Sequence, residues 1–289
     1  MNTAKENFMS NNCKLPYQLI AFDLDGTFLD KKKNIPEENM RAMCEAYNRG
    51  AVIVPATGRI PEGLPEQIRN APFYRYSITS NGAYVYDALE DTAVARAEIN
   101  VAQAIEFYTF ADSLPVLYDC YQDNYGLMPA AMMEHLDDYV TDPGIMRLVR
   151  GLRTPVADLK QTLIERGMSL QKMQLYFNDM ELRRRMLDQL PGIFPDLNFT
   201  SSVPFNIEVN AKNATKGCAL LSLCRALDID PSRSIAFGDG TNDTDMLIKA
   251  GLGVAMENAE PEVRAASDYI TLNHEAAGVA AAIDKFVLI

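Results

Sequence analysis

Residues 17–27 read YQLIAFDLDGT, and the prediction of the fold begins with this stretch. A short apolar run ends in Asp23, and Asp25, Gly26 and Thr27 follow directly after it. Continuous apolar runs of this length are typical of strands buried on both faces, as in a parallel sheet. Gly26 allows the chain to turn just after the strand, so that Asp23 and Asp25 can face different partners in one pocket.

Four more runs of the same kind follow along the chain: 51–56 (AVIVPA), 76–80 (YSITS), 234–238 (SIAFG) and 252–255 (LGVA). The stretch between the first two runs repeats apolar residues at helical spacing, at Met40, Met43, Cys44 and Tyr47. The same alternation of helix and strand returns after residue 215. The two ends of the chain therefore predict an α/β fold, a doubly wound parallel sheet that is split in sequence.

The middle of the chain has a different pattern. From about residue 85 to 205, helical stretches such as VAQAIEFYTFAD mix with alternating runs such as PVLYDCYQD and FTSSVPFNIEV. Such a mixture indicates an inserted α+β domain. We predict a core formed by residues 16–84 and 206–289, and an inserted cap formed by residues 85–205.

Composition limits the classes of function. The chain has 289 residues, 48% hydrophobic content and a formal net charge of -12, and an acidic protein repels nucleic acids and anionic membranes. Its five cysteines lack the spacing of a zinc site or a disulfide framework, which favours reduced thiols. No run approaches the roughly 20 apolar residues that cross a bilayer, and the first residues have no apolar signal segment. We therefore expect a cytoplasmic protein whose partner is a small molecule.

A second acidic motif, GDGTND at 238–243, follows another predicted strand. Ligands of open α/β sheets bind beyond the carboxyl ends of the strands, where Asp239 and Asp243 would meet Asp23 and Asp25. Four such carboxylates repel one another, and a hard divalent cation resolves the conflict; oxygen ligands alone select Mg²⁺ over zinc. The first motif is not a calcium loop, because the twelfth loop position is Asn34 rather than a glutamate.

Hydrogen-bond donors for a phosphoryl group are expected at the same edge of the sheet. Thr57, Gly58 and Arg59 follow the second predicted strand and supply a hydroxyl and backbone amides, and Lys216 opens a helix after the insert. A phosphoryl group in transfer needs its oxygens held by such donors and by a metal. These residue types together indicate phosphoryl transfer.

The motifs DLDGT, TGR, SNGA, TKG and GDGTND, in this order, resemble the haloacid dehalogenase superfamily, in particular its Cof-like type IIB phosphatases. The resemblance extends over nearly the whole chain beyond the first fifteen residues. It implies a Rossmann-like core with a type C2B cap, and hydrolysis of a small phosphorylated metabolite, a sugar or cofactor phosphate, through an aspartyl-phosphate.

The resemblance also implies roles for single residues. Asp23 would be the nucleophile, and Asp25 the general acid and then the general base. Mg²⁺ would be held by Asp23, the main-chain carbonyl of Asp25 and Asp239. Asp243 would not bind the ion directly but would support the residues that do. The phosphoryl group would be contacted by Thr57, Gly58, Lys216 and Asn242.

Alternatives remain open at this point. A phosphomutase or phosphotransferase of the same superfamily would pass the phosphoryl group to a hydroxyl instead of water. A non-catalytic receptor for Mg²⁺ and phosphate would not need an acid-base group such as Asp25. Asp23 and Asp239 could be turn carboxylates, Lys216 a solvated residue, and Arg59 a surface charge. The sequence does not indicate the substrate, the cap residues that select it or the oligomeric state.

Overall fold

The structure is a computed structural model that describes residues 15–289. Cys13, for which a reduced thiol was expected, lies outside these residues. The other four cysteines are free thiols. The described chain contains fourteen strands: β1 Leu19–Phe22, β2 Val52–Pro55, β3 Tyr76–Thr79, β4 Tyr84–Asp87, β5 Thr92–Arg96, β6 Leu117–Gln122, β7 Tyr125–Pro129, β8 Arg153–Val156, β9 Lys172–Tyr176, β10 Leu197–Thr200, β11 Asn206–Ala211, β12 Ser234–Gly238, β13 Leu252–Ala255 and β14 Tyr269–Ile270.

The same residues form eleven α-helices: α1 Glu37–Asn48, α2 Glu66–Arg69, α3 Val101–Ala111, α4 Ala130–Glu134, α5 Pro143–Leu152, α6 Leu159–Arg166, α7 Met180–Ile193, α8 Lys216–Ala226, α9 Thr244–Lys249, α10 Pro261–Ala266 and α11 Gly278–Phe286. None of these helices is long and apolar enough to cross a membrane.

The core is a five-stranded sheet in the order β14-β13-β12-β1-β2, in which every neighbouring pair is parallel. Alternate residues of β1 enter different hydrophobic clusters. Ile20 and Phe22 pack with α1 and α11, whereas Leu19 and Ala21 pack with α8 and α9. Helices thus cover both faces of the sheet, and the predicted doubly wound α/β core is confirmed.

The strand predicted at 76–80 is present as β3, but its main pairing differs from the prediction. Residues 76–80 were expected in the parallel sheet, but β3 pairs antiparallel with β4, which pairs with β5. A tight turn at Ser80 and Asn81, both with positive φ, returns the chain directly onto β3, so a hairpin forms. A parallel bridge between Ala56 and Ile78 joins this three-stranded sheet to the end of β2. The fifth core strand is β14, whose two residues are too few to give a sequence pattern.

The predicted apolar stripe of α1 was only partly right. Its fully buried residues are Asn39, Ala42, Met43 and Ala46, so Met43 alone comes from the predicted set. The small alanines let the helix approach the sheet closely, while the larger Met40, Cys44 and Tyr47 pack at the edge of the contact.

The insert forms a six-stranded sheet in the order β10-β11-β9-β6-β7-β8, antiparallel except for the parallel pair β7 and β8. Apolar residues on one face form one hydrophobic cluster with α3, α6 and α7, which includes Leu175 of β9, Phe107 of α3 and Leu163 of α6. The predicted α+β insert is confirmed. The pattern at 199–209, read as one strand, forms two strands separated by a loop.

The division into domains stays a prediction, although strand pairing bears on its two junctions. β4 and β5 pair within the sheet that begins with β3, so residues 84–96 continue the core side of the first junction. β11 pairs with β9 and β10, so residues 206–211 belong to the cap sheet. Drawn by sheet membership, the junctions lie after Arg96 and after Ala211.

Two glycines in helices provide a matched test of packing. A Cβ at Gly217 of α8 would overlap the backbone carbonyl of Asp245, whereas a Cβ at Gly192 of α7 would meet nothing within 4 Å. We expect Gly217→Ala to lower the free energy of unfolding by about 1–3 kcal/mol. Gly192→Ala should raise it by up to about 1 kcal/mol, because alanine is the better helix former. Urea unfolding measures both, and a shift of the same sign in both variants would contradict the packing of α8.

Candidate active site

The carboxyl ends of β1, β2 and β12 open into a cavity of about 880 Å³ between the core sheet and the cap sheet. The structure brings most of the predicted site residues together here. Those that line the cavity are Asp23, Asp25, Thr57, Gly58, Asp239, Asn242 and Asp243. The cap contributes the opposite wall, so a ligand bound at the strand ends would contact both parts of the chain.

Lys216 lies beneath the cavity, fully buried at the start of α8. Its Nζ donates to Oδ1 of Asp23 and to Oδ1 of Asp243, each at 2.6 Å. Burial alone would lower the pKa of Lys216, but the two carboxylates raise it above its usual value, so the ammonium form persists. A buried charge of this kind requires partners, and Lys216 is not the solvated residue that the alternative interpretation described.

Asp243 also fixes the position of the loop after β12. Its Oδ2 accepts hydrogen bonds from the backbone amides of Asp239 and Gly240, at 3.0 and 3.1 Å. Thr27 donates its hydroxyl hydrogen to Oδ1 of Asp239 at 2.7 Å. Gly26 has φ +93, and a Cβ there would overlap the Asp239 carboxylate. Only glycine at this turn allows the two acidic loops to approach each other.

Three carboxylates, those of Asp23, Asp239 and Asp243, each place one oxygen within 4.8 Å of the others. Burial raises the pKa of Asp23 well above its usual value. Lys216 acts in the opposite direction, and the two neighbouring carboxylates raise this pKa further. Burial also raises the pKa of Asp239, to about 6. The hydrogen bond from Thr27 lowers this pKa, and the charge of Asp243 raises it. The cluster therefore has more negative charge than Lys216 neutralises, and oxygen donors of this type fit a hard divalent cation.

The carboxylate of Asp25 turns away from this cluster. Arg59 donates to both of its oxygens, at 2.7 and 2.8 Å from Nη2, and Lys33 donates to Oδ1 at 2.7 Å. Burial raises the pKa of Asp25, but Arg59 and Lys33 outweigh it and lower the pKa below its usual value. Arg59 is thus not an isolated surface charge, since it holds Asp25 in the ionised form.

The second strand end is connected to the hairpin of β3 and β4. Thr57 is buried, and its backbone amide donates to Ile78 of β3. A Cβ at Gly58 would lie 2.8 Å from Oδ1 of Asn81, so glycine is needed for this close approach. Asn242 lies at the same place and donates to Oδ1 of Asn81 at 3.4 Å.

Sequence reasoning gave no role to the cap residues at this site. Nζ of Lys172 donates to the carbonyl of Gly58 at 2.7 Å and to Glu208 at 2.9 Å, and Asn81 donates to Glu208 at 2.6 Å. These contacts join the cap to two core loops. The sequence does contain a signal for such residues. Polar residues alternate with apolar ones in β9, at Lys172 and Gln174, and in β11, at Asn206 and Glu208, and this alternation indicates that the sheet has one polar face.

Comparisons with known proteins agree with this geometry. The family model described as haloacid dehalogenase-like hydrolase matches residues 20–283. The 5-amino-6-(5-phospho-D-ribitylamino)uracil phosphatase YcsE of Bacillus subtilis is 29% identical over 271 residues, which cover 94% of this chain and 96% of that protein. The HMP-PP phosphatase of Yersinia pseudotuberculosis is 27% identical over 256 residues, 86% of each chain.

A solved structure has the same fold. The crystal structure of a haloacid dehalogenase-like hydrolase from Bacteroides thetaiotaomicron has a TM-score of 0.78 and 26% sequence identity. The superposition covers 93% of this chain and 99% of that chain. The similarity includes both the parallel sheet and the insert, as the motif order predicted.

The cluster of three carboxylates predicts a linked effect of cations on stability. A divalent cation at about one hundred times its dissociation constant should raise the free energy of unfolding by about 2.7 kcal/mol. Asp239→Asn removes one charge of the cluster, so the increase should largely disappear while the stability in EDTA does not fall. Glu260→Gln, at an exposed carboxylate of the same cavity, is the control and should keep the full increase. Thermal melts with and without cation measure this, and an equal increase in both variants would contradict the assignment.

Proposed function

The chain belongs to the haloacid dehalogenase-like hydrolase family and is a phosphatase, and we propose that it hydrolyses a small phosphorylated metabolite through a phosphoaspartate on Asp23, with Mg²⁺ as cofactor. The observation that carries the proposal is the position of Asp23 on the wall of the cavity, with a fully buried ammonium bound to one of its oxygens. The named substrates of the two relatives, a phosphoribityl compound and HMP-PP, support the class of substrate. The cavity of about 880 Å³ has the size of small-molecule sites.

The proposed reaction has two halves. A carboxylate oxygen of Asp23 attacks phosphorus, the bond from phosphorus to the ester oxygen breaks, and Asp25 gives its proton to the leaving oxygen. Water then attacks the same phosphorus and gives a proton to Asp25. The bond to Asp23 breaks, which releases inorganic phosphate and restores the enzyme.

Lys216 supports the first half by its position. It binds only one oxygen of Asp23, and this contact fixes the carboxylate and offsets part of its charge. Since Lys216 is fully buried beneath Asp23 and Asp243, we propose that it acts mainly through Asp23. Its direct contact with the phosphoryl group, like those of Thr57, Gly58 and Asn242, stays a prediction.

Asp25 needs two protonation states in this scheme. With Arg59 and Lys33 bound, its pKa is lowered and it is ionised, which suits acceptance of a proton from water. Donation to the leaving oxygen requires that the carboxyl group be free of these cations. We therefore propose that Arg59 and Lys33 release Asp25 when a substrate occupies the cavity.

The family implies a divalent metal, and the cluster described above fits one. We propose that Asp23, Asp239 and the main-chain carbonyl of Asp25 hold Mg²⁺. Both oxygens of Asp243 already accept hydrogen bonds, from Lys216 and from backbone amides, which favours a supporting role for this residue. Bound there, the cation would offset the negative charge that the carboxylates and the phosphoryl oxygens bring together.

The nucleophile is tested by a change that keeps its shape. Asp23→Asn should lower turnover of p-nitrophenyl phosphate by at least about a thousandfold, because the amide cannot attack phosphorus. The control is Asp142→Asn, at the same cavity: Asp142 caps α5 through the amides of Gly144 and Ile145, and asparagine caps as well. Activity close to that of the wild type in the Asp23 variant would refute the phosphoaspartate.

The cofactor is tested by removal and replacement. Dialysis against EDTA should abolish turnover, and Mg²⁺ should restore it. Ca²⁺ should not restore it, because Ca²⁺ prefers longer bonds and more ligands than three oxygens offer. Steady-state assays at matched ionic strength measure this, and full activity in EDTA would exclude the proposed cofactor.

A further inference from the structure

The cap sheet presents a polar face to the cavity, which we call the polar roof. It consists of Tyr121, Arg153, Lys172, Gln174, Tyr176 and Glu208, all of which line the cavity. On β9 these residues alternate with Met173 and Leu175, which enter the hydrophobic core of the cap. The roof is therefore the part of the sheet face that borders the cavity, and it lies opposite the phosphoryl site of the proposed function.

The first charge of the roof is already neutralised. Nε of Arg153 donates to Oδ2 of Asp119 at 2.7 Å, and the two side chains are 2% and 0% exposed. Tyr176 donates its hydroxyl hydrogen to the same oxygen of Asp119 at 2.7 Å, and Gln174 donates to the other at 3.1 Å. Arg153 also donates to the hydroxyl of Tyr121. The tyrosine keeps its own hydroxyl hydrogen, which can be donated to a ligand.

The second charge is neutralised in the same way. Lys172 pairs with Glu208 at 2.9 Å, and their side chains are 3% and 4% exposed. Glu208 also accepts from Asn81 at 2.6 Å and from Ser202 at 2.8 Å. Burial raises the pKa of Glu208, but Lys172 and these hydrogen bonds outweigh it and keep the carboxyl group ionised. Each cation of the roof thus has its own carboxylate.

An apolar wall adjoins the roof. Ile145, Leu148, Val149 and Leu152 of α5 line the same cavity, and Leu148 is 43% exposed. Beyond the roof, the cavity contains more carboxylates than cations. A group that enters this space, away from the phosphoryl site, therefore meets hydroxyl and amide groups on one side and aliphatic side chains on the other.

We propose that the roof and the α5 wall bind an uncharged, hydroxyl-bearing leaving group, and that the site discriminates against substrates with a second anionic group. The inference rests on the proposed function and extends it to the substrate class. A second carboxylate or phosphate at the roof would lose its hydration beside two cations, Arg153 and Lys172, that already bind Asp119 and Glu208. Hydroxyl groups can both donate and accept, so they are satisfied by the tyrosine, glutamine and carboxylate groups of the roof.

The test uses two substrates that differ only at the far end of the chain. Sorbitol 6-phosphate carries a hydroxymethyl group where 6-phosphogluconate carries a carboxylate. With the full-length, Mg²⁺-loaded protein, kcat/KM should favour the sorbitol compound by at least about tenfold. If either compound is not turned over, both are measured as competitive inhibitors of p-nitrophenyl phosphate hydrolysis, and the ratio of their inhibition constants replaces the ratio of kcat/KM.

The outcomes separate the two proposals. Hydrolysis of p-nitrophenyl phosphate together with a ratio near one, or with preference for the carboxylate, would overturn the inference and leave the proposed function intact. Failure to hydrolyse any of the three compounds would overturn the proposed function, and the inference with it.

Two variants address the mechanism of discrimination. Asp119→Asn and Glu208→Gln each leave a cation of the roof without its carboxylate, so the ratio should fall by about tenfold or more in favour of the carboxylate compound. A merely structural role would lower activity on both compounds and leave the ratio unchanged, which would count against the inference. Asp112→Asn, a half-exposed carboxylate paired with Lys160 outside the cavity, is the control and should keep the wild-type ratio. If a variant melts without cooperativity, the wild-type ratio still decides.

Discussion

The buried ammonium of Lys216 is the interaction on which the arrangement of this site depends. It joins Asp23, at the end of β1, to Asp243, in the loop after β12, from the first turn of α8. Loss of the ammonium would leave two buried carboxylates without a compensating cation, at a cost of several kcal/mol. Because Asp243 in turn holds the amides of Asp239 and Gly240, one cation sets the relative position of both acidic loops. The parallel sheet supplies the strand ends, and Lys216 determines how they meet.

The cavity has two electrostatic halves. At the core, Asp23, Asp239 and Asp243 carry more negative charge than Lys216 offsets, so this half suits a divalent cation and a phosphoryl group. At the cap, the charges occur as closed pairs, Lys172 with Glu208 and Arg153 with Asp119. We therefore infer that the core recognises charge and that the cap recognises shape and hydroxyl groups. Lys172 also contacts the carbonyl of Gly58, so the two halves meet where a substrate would bridge them.

The sequence predicted the core half of the site because its motifs are local. DLDGT and GDGTND each combine a buried strand, a turn and carboxylates within a few residues, and the sheet then brings the strand ends together. The cap half was missed because each of its pairs depends on long-range strand pairing. Lys172 and Glu208 lie on β9 and β11, and Arg153 of β8 reaches Asp119 of β6 across β7. The pairing of β3 with β4 was missed for the same reason, whereas β14 was missed because its two residues give no sequence pattern.

In the proposed reaction Asp23, held by Lys216, forms the covalent bond to phosphorus. The most direct measurement is to quench the enzyme in acid during turnover, reduce it with borohydride and locate the modified residue by peptide mass spectrometry. An acyl phosphate is reduced to an alcohol, so we expect homoserine at position 23 of the wild-type protein and at no position of Asp23→Asn. Steady turnover with unmodified Asp23, or reduction of a different carboxylate, would contradict it.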